Sequence, residues 1–163
     1  MDYLKIVKNM VSAKRYDHIL HVIDEAIVLA KIYNCDVESA RIAATLHDST
    51  KYFDDDLQKN MIIKEYGIDF LNTLVPQVYH SFTGMIYARD TLNILNEDIL
   101  HAIENHTLGR ENMSTLEKII FIADFTEKSR TFEESNIARE LSYKSLDKAI
   151  VYILTEVINW INN

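Results

Sequence analysis

Residues 114–126 read STLEKIIFIADFT. Ser114 and Glu117 stand ahead of an apolar run in the pattern of a capping box. The serine hydroxyl accepts from the amide of Glu117, and the glutamate reaches back to the amide of Ser114. The helix so opened carries Ile119, Ile120, Ile122 and Ala123, and then Asp124, set between Phe121-Ile122-Ala123 and Phe125. A carboxylate in such surroundings is costly to bury unless it is paired or bound to a metal. At this point both readings of Asp124 stand.

Outward from that helix the pattern is helix after helix. From Ala13 to about Tyr33, Tyr16, Ile19, Leu20, Ile23, Ala26, Ile27 and Ala30 recur at spacings of three and four, one apolar helical stripe. Ser12 can cap its start and Asn34 can end it in a left-handed conformation. Asp36 caps a following helix of small residues, Ala40, Ala43 and Ala44, which runs into His47-Asp48. Asp54-Asp55-Asp56 put acid at the start of another, favourable for its dipole, and Gly67 ends it. Pro76 marks a break before a helix with His80 and Gly84. Asn96 can cap the next, which takes in Ile99, Leu100, Ile103 and His106. From about Glu133 the chain is again helical, ending in Ile150, Ile153, Leu154, Val157, Ile158 and Ile161.

Bulk properties agree. Only 3 Gly and 1 Pro punctuate 163 residues, too few for a sheet-rich fold. The expectation is an all-α, single-domain bundle over residues 1–163, with a motif-bearing core over about 14–132 and a C-terminal helix over about 133–162 packing on it. No apolar stretch is long enough for a membrane span, and the first residues lack a signal-peptide pattern. One cysteine, Cys35, excludes an internal disulfide and suits the reducing cytoplasm. A formal charge of −8 repels nucleic-acid backbones. A small anionic substrate stays compatible, because bound metal ions reverse the sign locally.

Six histidines occur, at 18, 21, 47, 80, 101 and 106. His18 lies among the buried-side residues of the first long helix, and His47-Asp48 closes the small-residue helix. There is no HExxH, CxxC or zinc-finger spacing, so any ligands must come from several helices, as metal sites of helical bundles commonly do. Imidazole plus carboxylate without thiolate suits iron, manganese, zinc or similar ions. Any one of these histidines, alone, reads first as a satisfied core residue. Their joint order carries the case: His, then His-Asp, then His, His, and finally Asp within an apolar helix.

The segments RYDHILHV (15–22), LHDSTKYF (46–53), HSFTG (80–84), NHTLGR (105–110) and LEKIIFIADFTEKSR (116–130) together resemble the HD superfamily of metal-dependent phosphohydrolases, and within it the symmetrical diadenosine tetraphosphatases. The resemblance implies an HD-type helical bundle in which His18, His47, Asp48 and Asp124 are core metal ligands. Asp48 would bridge two ions, and His80 and His106 would serve the second. It implies a divalent metal cofactor, two ions per chain, with iron the first choice and Mn, Zn, Co, Ni or Mg as alternatives. Asp48 and Lys51 would be catalytic, and Lys51, Arg110 and Arg130 would contact substrate phosphates. The implied reaction is hydrolysis of diadenosine tetraphosphate to two ADP by a metal-bridging hydroxide. The family often has Pro-Gly before the arginine aligned with Arg130, where this chain has Lys128-Ser129. His21 and His101 match no required position. Three alternatives stay open: a nucleotidase acting on nucleoside monophosphates, an oxygen-activating di-iron protein, and a non-catalytic nucleotide-binding HD module. The partner expected is a small nucleotide, with no nucleic acid and no membrane, and a homodimer is an open alternative.

Overall fold

A computed structural model of the chain describes residues 1–163. It is all helical: α1 (Tyr3–Lys8), α2 (Ala13–Ile32), α3 (Val37–Leu46), α4 (Asp55–Tyr66), α5 (Ile68–Leu71), a 3-10 turn at Pro76–Val78, α6 (Tyr79–Asp90), α7 (Glu97–Glu104), α8 (Thr115–Thr126), α9 (Glu133–Ser142) and α10 (Leu146–Asn162). No helix is long and apolar enough to cross a membrane.

The caps explain most boundaries. Ser12, Asp36, Asp54 and Asn96 each accept from an amide in the first turn of their helix. At α8 both bonds of the Ser114–Glu117 capping box are formed. Asn34 takes φ 51°, as the end of α2 requires, and Gly67 closes α4 at φ 88°.

The expected helix over 133–162 is two helices. Tyr143 and Lys144 turn the chain, and Ser145 accepts from the Lys148 amide to start α10. His106 lies beyond α7 and not within it, because Asn105 leaves helical geometry (φ −100°, ψ 8°). Two short helices, α1 and α5, add to the sequence expectation.

At the centre α8 packs on α2, α3, α7, α9 and α10, and α2 also packs on α3. Leu116, Ile119, Ile120, Ile122 and Ala123 of α8 are buried in one continuous core with Ile19, Val22, Leu29, Leu46, Ile103 and Ile153. The alanines of α3 are fully buried, so its backbone lies close against its neighbours. A smaller cluster of Ile62, Leu71, Tyr79 and Phe82 joins α4 and α5 to α6. The bundle thus points the end of α3, the start of α6, the exit of α7 and the last turn of α8 at the first turns of α2.

Candidate metal centre

Five segments supply the converging side chains: His18 from α2, His47 and Asp48 directly after α3, His80 from the first turn of α6, His106 just past α7, and Asp124 from the last turn of α8. Gly84 lets α6 approach this closely. A Cβ there would lie 3.2 Å from Ile103 Cγ2 and 3.6 Å from the His47 carbonyl. Thr50 ties the turn after Asp48 to α6, donating to the His80 carbonyl at 3.0 Å. His18, His47, Asp48, His80 and His106 are buried, while Asp124 is half-buried at the open side.

Asp48 sits between two sets of imidazoles. Its Oδ2 faces His47 Nε2 at 3.5 Å and His18 Nε2 at 3.8 Å. Its Oδ1 faces His80 Nε2 at 3.1 Å and His106 Nε2 at 3.7 Å. Asp124 Oδ1 joins the first set, 3.0 Å from His18 Nε2 and 3.7 Å from His47 Nε2. Two groups within coordinating reach result: His18, His47 and Asp124, and His47, Asp48 and His106.

Local hydrogen bonds orient these rings. A carbonyl can only accept, so the 2.6 Å contact of His47 Nδ1 with the Ala44 carbonyl assigns a proton to Nδ1. His106 Nδ1 does the same to the Ile103 carbonyl at 2.7 Å. His18 Nδ1 donates to Glu127 Oε1 at 3.2 Å. In each ring Nε2 then turns a lone pair inward. The Nε2 atoms of His18 and His47 are buried without a hydrogen-bond partner. Lone pairs on nitrogen and carboxylate oxygen facing one another repel unless a proton or a cation lies between them.

The electrostatics show the same demand for positive charge. Burial pushes the pKa of Asp48 up, but His47, His106 and His80 outweigh it and hold the carboxyl well below its usual range. Asp124 is likewise raised by burial and lowered further by His18 and His47. Burial depresses His47, yet Asp48 and Asp124 lift it to about 9. Donor set, orphaned nitrogens and field therefore all fit a bound divalent ion. His80 differs. Burial takes it down to about 4, so the ring is neutral. Lys51 Nζ donates to its Nδ1 at 3.2 Å, which leaves the ring proton on Nε2. To ligate through Nε2, His80 must release the Lys51 bond.

Of the three cations assigned to phosphate, two stand at the cluster. Lys51 adjoins His80, and burial lowers its pKa. Arg130 Nη2 is 3.8 Å from Asp124 Oδ1. Arg110 is engaged elsewhere: its Nε and Nη2 each donate to the buried Glu117 at 2.7 Å, and it lines neither cavity that borders the cluster. The structure does not bring Arg110 to the other site residues.

Two residues join the site that the sequence reading does not single out. Arg15 Nη1 donates to Asp48 Oδ2 at 2.9 Å. Glu127, fully buried at the end of α8, accepts from His18, from the Ser129 amide at 2.6 Å and from the Ser129 hydroxyl at 2.5 Å. Ser129 thus anchors the loop after α8, ahead of Arg130, to Glu127. His21 Nδ1 lies 3.4 Å from the same carboxylate. Arg15 precedes His18, and Glu127 follows Asp124, by one helical turn. That spacing is the one signal that could have found them. Lys14, Arg15, Tyr52 and Arg130 line a polar cleft of about 880 Å³ that reaches His18.

The HD domain model matches residues 15–128. A symmetrical bis(5'-nucleosyl)-tetraphosphatase from Halalkalibacterium halodurans is 35% identical over 97% of this chain and 84% of that one. The enzyme of the same name from Staphylococcus aureus is 38% identical over 91% of this chain and 78% of its own. A crystal structure from Clostridium acetobutylicum, called a "predicted HD superfamily hydrolase involved in NAD metabolism", matches with a TM-score of 0.91 at 36% identity, covering 98% of this chain and 85% of that one. The chain therefore belongs to the HD-domain family of hydrolases, within the group of the symmetrical bis(5'-nucleosyl)-tetraphosphatases.

Proposed function

We propose that this chain hydrolyses diadenosine tetraphosphate and related dinucleoside polyphosphates at the central linkage, giving two ADP. The observation that carries the reading is Asp48, whose two oxygens face separate imidazole sets across one buried centre. That arrangement suits two cations sharing one carboxylate. His18, His47 and Asp124 would hold one ion, and His106, with His80 once released from Lys51, the other. Iron is our first assignment, and Mn, Zn, Co, Ni or Mg fit the same nitrogen and oxygen donors. A divalent ion at this centre supplies Lewis acidity and makes water acidic enough to attack phosphorus near neutral pH.

The chain's own groups do the rest. Glu127 and the Ala44 and Ile103 carbonyls hold three imidazoles in one tautomer and direction. Arg15, Lys51 and Arg130 offset charge on the phosphate oxygens, and guanidinium groups can do so with two parallel bonds. Water adds to one of the two central phosphorus atoms, and the bridging P–O bond breaks. The leaving oxygen departs with the other half, so both products are nucleoside diphosphates.

The test combines metal analysis, assay and product identification. Asp48→Ala is expected to abolish hydrolysis and most bound metal while the helical circular dichroism stays intact. Full activity in that variant, or AMP and ATP as the wild-type products, would overturn the proposal.

A further inference from the structure

Beside the cluster lies a second cavity of about 530 Å³. Four aromatic side chains, Phe121, Phe125, Phe132 and Trp160, line it. Phe125 and Trp160 are stacked, with centroids 5.9 Å apart and planes 19° from parallel. Phe132 stands edge-on to Phe125 at 5.4 Å and to Trp160 at 5.9 Å. At its inner end the cavity is bounded by His106 and Asp124, so it opens directly onto the candidate metal centre. Arg130 lines both this cavity and the polar cleft, and joins them. Phe132 and Trp160 keep 37% and 47% of their surface exposed, although both have apolar neighbours to bury against. The last turn of α10 thus holds a large ring over open space beside a cluster of imidazoles and carboxylates.

Flat apolar walls next to a cationic phosphate path match a nucleotide, whose base stacks and whose phosphates pair with arginine. The polar cleft, with Lys14, Arg15 and Tyr52, has no comparable aromatic enclosure. We infer that this cavity takes one nucleobase of the dinucleotide, stacked against Trp160 and Phe132, while the polyphosphate runs past Asp124 and Arg130 to Arg15 and the second nucleoside lies toward solvent. The inference rests on the proposed function and deepens it. A chemically symmetrical substrate is held asymmetrically, by one base only. Glu134 at the cavity edge offers a carboxylate to hydrogen-bond donors on the base.

Trp160 is the single tryptophan of the chain, so its emission reports on this cavity alone. Titration of the metal-loaded protein with ADP is expected to change Trp160 fluorescence saturably, at one ADP per chain. Inorganic tripolyphosphate, which has no base, is expected to compete without that change. Phe132→Leu and Trp160→Leu are each expected to raise KM for diadenosine tetraphosphate about tenfold, with kcat within about twofold and inhibition by tripolyphosphate unaltered. Trp160→Phe should restore most of the KM. Two results would overturn the inference: ADP that inhibits without altering Trp160 emission, or wild-type KM in both leucine variants. Absent hydrolysis by the wild-type protein would sink the functional reading instead, and the ADP titration would still decide the base site.

Discussion

At the scale of single residues, the centre depends on groups that bind nothing themselves. Glu127 is buried, takes the Nδ1 proton of His18 and is held by both donors of Ser129. It fixes which nitrogen of His18 is free, and its charge raises the basicity of that nitrogen. Glu127→Gln keeps the shape and removes the charge. It is expected to weaken divalent metal binding about 10- to 100-fold, as read by chelator competition, with helical content unchanged. Wild-type affinity in this variant would show that the carboxylate does not tune the site. The role of Glu127 was hidden in the sequence because Thr126-Glu127-Lys128 reads as an ordinary polar helix end. Asp124, three residues earlier, stood out because its neighbours are apolar.

At the scale of elements, α8 shows how a local signal and a distant one combine. Ser114 and Glu117 close the capping box, and the same Glu117 carboxylate receives Arg110 and the Asn105 amide. One buried acid thereby ties the loop after α7, which carries His106, to the start of the helix that carries Asp124. Arg110→Ala is expected to lower stability by about 1 kcal/mol, because Asn105 and Ser114 still serve the buried carboxylate. KM for the nucleotide is expected to stay within about twofold. A large rise in KM without a fall in Tm would return Arg110 to the phosphate-binding role. The caps of α2, α3, α7 and α8 were all legible, since each acts within three residues, while at α4 only the acidic start was. The break between α9 and α10 was not. It contains neither Gly nor Pro, and Ser145 reads as well inside a helix as at its start. The last helix has a further face that periodicity does not reveal: Ile150 and Ile153 enter the core, while Trp160 stacks on Phe125 over a cavity.

At the scale of the whole molecule, the buried cluster couples metal binding to folding. Two carboxylates and four imidazoles gathered in the interior are costly without a cation, and the unfolded chain cannot assemble them. A ligand that binds only the folded state at 100 times its Kd stabilises it by about 2.7 kcal/mol. For a chain of this size that is a rise in Tm of roughly 5–10 °C. Chelation of the metal-loaded protein is expected to lower Tm by that amount, and added Fe²⁺ or Mn²⁺ to restore it. Asp48→Ala should show no such shift. An equal Tm with and without chelator would mean that the cluster is not a metal centre.

Two kinds of information are separated in this protein by distance along the chain. Helices and most of their caps could be read from residues a few positions apart, because capping and amphipathic periodicity are interactions within one or two turns, whereas the candidate ligands were legible only from the order of motifs along the whole chain and the family that order resembles. The tertiary structure alone decided which atoms meet. Asp48 faces imidazoles from four segments, Glu127 reaches His18 across 109 residues, and Arg110 turns to Glu117 and away from the centre. Those pairings depend on how the helices pack, and packing is settled by the burial of a whole core rather than by any stretch of its sequence.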